Sequence, residues 1–93
     1  MSVRWLTPAH KDLSALVEWY EQNAPEVLST VAQRIWDAAQ SLTMFPHRGR
    51  PGFIDGTREL LVPQLPYMLV YKVQGSDVMI LRLLHQHQNW PEV

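Results

Sequence analysis

Apolar positions recur at helical intervals in the first half of the chain and run almost unbroken in the second. From Ala9, the residues Leu13, Leu16, Val17 and Tyr20 fall on one helical face. Thr7 offers a capping hydroxyl ahead of Pro8, whose fixed φ suits the first helical position, so a helix is expected to begin there. Asn23, Ala24 and Pro25 interrupt the pattern. Pro25 and Glu26 then open a second expected helix, with an acid near its positive end and a stripe of Leu28, Val31, Ile35, Ala38, Ala39 and Leu42. A tight turn between two amphipathic helices predicts an antiparallel hairpin. Residues 3–6, ahead of it, read as a short strand.

The stretch 45–56 holds Pro46, Gly49, Pro51, Gly52 and Gly56, too many breakers for a regular element, and is expected to be a loop. Three strand-like runs follow, at 58–62, 67–73 and 78–84. Gln74, Gly75, Ser76 and Asp77 separate the last two, a hairpin signal. Those two runs are nearly all apolar, as central strands covered on at least one face should be, and the helix hairpin is the available cover. The expected fold is α+β: an N-terminal strand and a two-helix hairpin packed on a small antiparallel sheet, in one domain over 1–93.

At 93 residues, 46% hydrophobic and 18% charged, the chain suits one core, burying about 60–65% of its unfolded surface. Without cysteine it has no disulfide framework, thiolate metal site or cysteine nucleophile, which fits a reducing cytoplasm. No apolar run approaches a membrane span and no signal-peptide pattern opens the chain, so a cytoplasmic location without membrane contact is expected. A net charge of −1 gives no overall basis for tight non-specific nucleic-acid binding. The charge is unevenly spread, however. Residues 1–46 carry three basic against five acidic side chains, whereas 47–58 carry Arg48, Arg50 and Arg58 against Asp55, with His47 beside them.

Arg48, Arg50 and Arg58 can form an anion site, since guanidinium forks pair bidentately with phosphate and carboxylate; equally, they can be solvated or pair with Asp55 and Glu59. His85 and His87 share a face if the last strand continues. Such a pair can ligate a metal or act as acid and base in phosphodiester cleavage, or close a strand end structurally. A metal needs further ligands, which neither cysteine nor an acidic cluster supplies, so no metal or other cofactor is expected. Trp19 and Trp36 project onto the flanks of their helix stripes, which points either to packing between the helices or to a partner surface. Tyr67 and Tyr71 share a strand face. In the tail, Trp90 is expected to anchor the chain where Pro91 ends strand character.

In order along the chain, VRWLTPAHKDLSALVEWY, PHRGRPG, GTRELLV, LPYMLVYKV and VMILRLLHQHQNWP resemble a ParE-type toxin of the RelE/ParE superfamily of bacterial toxin–antitoxin pairs. The resemblance spans nearly the whole chain. It implies a cognate antitoxin whose C-terminal segment wraps the toxin; the off-stripe position of Trp19 and Trp36 makes them the expected antitoxin contacts. It also implies one of two targets. ParE-type members inhibit DNA gyrase, whereas RelE-type members cut messenger RNA on the ribosome with lysines, arginines and a late tyrosine or histidine. Arg58 matches a position basic in both branches. Pro66, Tyr67 and Met68 stand where a ribonuclease member carries an arginine, and the only lysines are Lys11 and Lys72. Charge that builds on a scissile phosphate needs such groups. The resemblance therefore favours a non-enzymatic gyrase inhibitor, and the basic loop and the tail supply the expected target contacts, Arg48, Arg50, Arg58 and Trp90. The alternative is a ribosome-dependent endonuclease using Arg58, Arg82, His85 and His87.

Overall fold

A computed structural model describes residues 1–88, 90 and 91. Strand β1 (Ser2–Trp5) leads into helix α1 (Thr7–Asn23), a 3-10 turn at Pro25–Val27, and helix α2 (Leu28–Ser41). Strands β2 (Arg50–Pro51), β3 (Arg58–Leu61), β4 (Tyr67–Gln74) and β5 (Asp77–His85) follow, and the five form one sheet in the order β1-β5-β4-β3-β2. Strands β2 to β5 are an antiparallel meander, with β1 added parallel to β5 from Ser2↔Asp77 to Trp5↔Ile80. The sheet is thus mixed, because the strand preceding α1 docks on the edge that the meander leaves open.

Helix starts differ from the sequence expectation in detail. Leu6 is the extended residue before α1, Thr7 is already helical, and no side chain caps the end. Pro25 and Glu26 form the 3-10 turn rather than the first turn of α2. The stripe itself behaves as expected: Ala9, Val31, Ile35, Ala38, Ala39 and Leu42 are buried against Leu60, Leu69, Tyr71, Val78, Ile80 and Leu83 of the sheet. The hairpin between β4 and β5 closes through Gly75 and Ser76, with Gly75 at φ 60°, a conformation open to glycine without steric cost.

Among the described residues no helix covers the opposite face of the sheet. Met68, Val70 and Leu84 are buried there by Leu81 and by Trp90 from the C-terminal tail, which anchors as expected. Asn89, Glu92 and Val93 of that tail lie outside the described residues. Among the described residues no helix is long and apolar enough to cross a membrane.

Candidate functional site

The glycine- and proline-rich segment after α2 is an ordered structure built around one hydroxyl. Tyr71, fully buried on β4, donates to the Pro46 carbonyl at 2.7 Å and accepts the Gly49 N–H at 2.9 Å. Burial raises its pKa above the ordinary tyrosine value, against the opposing pull of the Gly49 N–H and of Arg58 and Arg48. Arg58 donates to the Gly49 carbonyl at 2.8 Å and, more loosely, to that of His47. Arg48 reaches back to the Ser41 hydroxyl at 2.8 Å. Close approach at Gly49 leaves no room for a side chain: a Cβ there would lie 2.8 Å from the Tyr71 hydroxyl and 3.0 Å from the Glu59 carbonyl.

Arg50 and Glu59 are directly paired in register on β2 and β3, and their side chains meet. One carboxylate oxygen of Glu59 accepts from Arg50 Nε and Nη2, at 3.3 and 3.1 Å, and the other accepts the Phe53 N–H at 3.1 Å. Arg58, the neighbour of Glu59 on the strand, points to the other face, as alternation requires. The three arginines are therefore not gathered into one anion site. Arg48 and Arg58 flank the Tyr71 hydroxyl, while Arg50 belongs to a pair with a nearly buried acid.

At the far end of the sheet, β5 outruns β1, and the exposed edge is closed by a helix side chain. Asp12 of α1 takes Arg82 Nε and Nη2 at 2.7 and 3.0 Å and the Leu83 N–H at 3.0 Å. Arg82 also lies over the Trp90 ring, 5.4 Å from its centroid. His85 and His87 are exposed with rings 5.4 Å apart, and the His87 N–H donates to Nδ1 of His85 at 3.2 Å. Among the described residues no cluster of three or more His, Asp and Glu assembles that could hold a metal.

The two tryptophans of the helix hairpin are both more than half exposed, Trp19 at 56% and Trp36 at 55%, so neither packs between the helices. They line different clefts on the two flanks of α1. Trp36 closes an apolar groove of about 580 Å³ with Trp5, Leu13, Val17, Ala32 and Ile35. Trp19 borders a more polar cleft of about 300 Å³ with Asp12, Tyr20, Tyr67, Leu83 and His85. In that second cleft the Tyr20 and Tyr67 hydroxyls are 2.8 Å apart, and burial together with this hydrogen bond pushes the Tyr67 pKa up to about 12.

A family model described as the ParE toxin of the type II toxin–antitoxin system parDE matches residues 3–90. The chain belongs to the ParE toxin family. It is 37% identical over 91 residues to the protein Y4kP of Sinorhizobium fredii, covering 98% of this chain and 94% of that one. It is 35% identical to the toxin RelE2 of Caulobacter vibrioides over 83 residues, covering 89% and 92%. Among solved structures, a chain of the chromosomal ParDE toxin–antitoxin system from P. aeruginosa superposes with a TM-score of 0.81 at 28% identity, covering 91% of this chain and 95% of that one. The protein is thus a toxin of the ParE/RelE type with the family's α+β architecture.

Sequence reasoning missed Asp12 and Tyr20 in this ParE-family chain. Asp12, Leu16 and Trp19 are spaced by four and three, so they share one flank of α1. That spacing was available in the sequence. The sheet edge that Asp12 closes was not, because it depends on where β1 stops pairing.

Proposed function

We propose that this ParE-family toxin inhibits DNA gyrase by binding it, without cleaving RNA, and that a cognate antitoxin neutralises it by direct binding. The observation that carries this reading is what the candidate nuclease groups already do. Arg58 is committed to two backbone carbonyls and Arg82 to Asp12, which leaves neither guanidinium free to clamp a phosphate beside His85 and His87. General acid–base cleavage would need these groups aimed at one phosphate. The ParDE likeness supports an antitoxin partner. The apolar groove beside Trp36 and the more polar cleft beside Trp19 are its proposed seats, since large exposed rings at a concave surface suit hot-spot contacts.

Arg48 and Arg50, the more exposed cations of the loop, are proposed to rim the target surface. Arg58 serves it by fixing the loop's shape, and Trp90 by covering the sheet face behind it. Expression of the chain without antitoxin tests the reading. Gyrase-dependent loss of supercoiling with DNA breaks supports it, and cleavage of translated messages refutes it in favour of the endonuclease. The similarity to the protein named toxin RelE2 is what keeps that second reading in the experiment.

A further inference from the structure

The tip between β2 and β3 presents the most exposed large hydrophobic residue among the described positions, Phe53, at 79%. Ile54, 40% exposed, stands beside it. An exposed phenyl on a floppy loop would mean little, but this tip is held at every turn. The Thr57 carbonyl accepts the Gly52 N–H at 2.8 Å, the Thr57 N–H donates to the Ile54 carbonyl at 3.1 Å, and the Thr57 hydroxyl donates to the same carbonyl. The Phe53 N–H is fixed by Glu59, a carboxylate only 9% exposed that is itself neutralised by Arg50. A Cβ at Gly52 would collide with Thr57, so the turn admits no larger residue there without moving. A charged group placed this deep, with both oxygens engaged, is a costly way to orient one backbone amide.

We infer that Phe53 is an anchor that the toxin inserts into an apolar pocket on its protein target, with Arg50 meeting acidic groups at the pocket's rim. The inference rests on the reading of the protein as a target-binding toxin and adds the surface by which it binds. Pre-ordering of the tip removes much of the entropy that immobilising the phenyl ring would otherwise cost. Arg50 remains 66% exposed although it is paired, so its guanidinium can face a partner's carboxylate from beside the ring. A nucleic-acid base is the less suited occupant: Ile54, the other apolar residue of the tip, offers no flat surface for stacking. The surface is the turn between β2 and β3, apart from the clefts on the two flanks of α1 proposed for antitoxin.

Phe53→Ser, Phe53→Trp and the wild-type chain, each expressed without antitoxin and each purified, test the inference. Growth arrest should weaken at least tenfold with Phe53→Ser and return with Phe53→Trp. Purified Phe53→Ser should keep its antitoxin affinity within about twofold, which excludes misfolding as the cause. Arrest that survives Phe53→Ser overturns the inference, as does loss of antitoxin binding in that variant. Binding of the wild type to an oligo-dT strand that Phe53→Ser abolishes would overturn it in favour of nucleic acid, and a Phe53-dependent dimer in sedimentation would overturn it in favour of self-association. A parallel supercoiling assay with purified gyrase separates the two claims. Phe53-dependent arrest without gyrase inhibition retains the anchor and rejects gyrase, whereas gyrase inhibition indifferent to Phe53 does the reverse. A wild type that arrests nothing overturns both.

Discussion

The helix hairpin and the loop that follows it are stabilised by opposite means. Between α1, α2 and the sheet the contacts are apolar, from Ala9 and Val31 through Ile35 to Leu42, and two tryptophans are left in water on the flanks. Between residues 45 and 59 no large apolar side chain is buried, and polar groups rooted in the sheet hold the chain. These are the Tyr71 hydroxyl, the Arg58 guanidinium and the Glu59 carboxylate. A cluster of arginines in a breaker-rich segment can thus be the loop's scaffolding, while aromatic rings are what the helix flanks leave in water. Polar scaffolding is also specific in a way that apolar contact is not, since a removed partner leaves a buried group unsatisfied.

The sharpest way to break this contrast is Tyr71→Phe. It keeps the ring and removes the hydroxyl, leaving the Gly49 N–H and the Pro46 carbonyl without their partner, and should cost about 2–4 kcal/mol in a denaturant melt. Protease sensitivity should rise within 45–52 and stay unchanged in α1. Next in size is Gly49→Ala, whose methyl group would press on the Tyr71 ring and the Glu59 carbonyl, at about 1–3 kcal/mol. Asp12→Asn probes the other end of the sheet. It can still accept the Leu83 N–H but loses its charge against Arg82, and should lower stability by about 1–2 kcal/mol, measured by the same melt.

On the hairpin side the expected effects on stability are smaller. Trp19→Ser and Trp36→Ser should each change it by no more than about 0.5 kcal/mol, because both rings are already wet, yet each should weaken antitoxin binding at least tenfold by titration calorimetry. The smallest effect is confined to alkaline solution. Folding raises the Tyr67 pKa from 10.0 to about 12, so the folded chain holds that proton more tightly than the unfolded chain does. Its contribution is complete below the unfolded value of 10.0 and is lost as pH rises toward 12. Tyr67→Phe should flatten the fall in melting temperature across that interval and leave the neutral-pH slope unchanged.

The fold was largely legible in the residue pattern, because the information is local. The stripe from Val31 to Leu42 and the apolar runs that became β4 and β5 announce both element type and buried face. The two-residue strand β2 was not legible: Arg50 and Pro51 have no strand pattern, and pairing with β3 alone defines them. The same holds for the parallel docking of β1. At the candidate site, residue types were visible but not their partners. Arg50 with Glu59 was one of the pairings the sequence allowed. That Arg82 would be taken by Asp12, seventy residues away, depends on tertiary contact, as does the division of Trp19 and Trp36 between two clefts.

The most direct test of the central claim, that this toxin acts by occupying gyrase rather than by cutting RNA, is a supercoiling titration with purified gyrase. It compares the wild-type chain with the double variant His85→Gln, His87→Gln. Inhibition should saturate near one toxin per gyrase subunit bound, both proteins should give the same curve, and neither should cleave ribosome-bound message in a parallel reaction. Unimpaired supercoiling, together with message cleavage that falls about a hundredfold or more in the histidine variant, would contradict it.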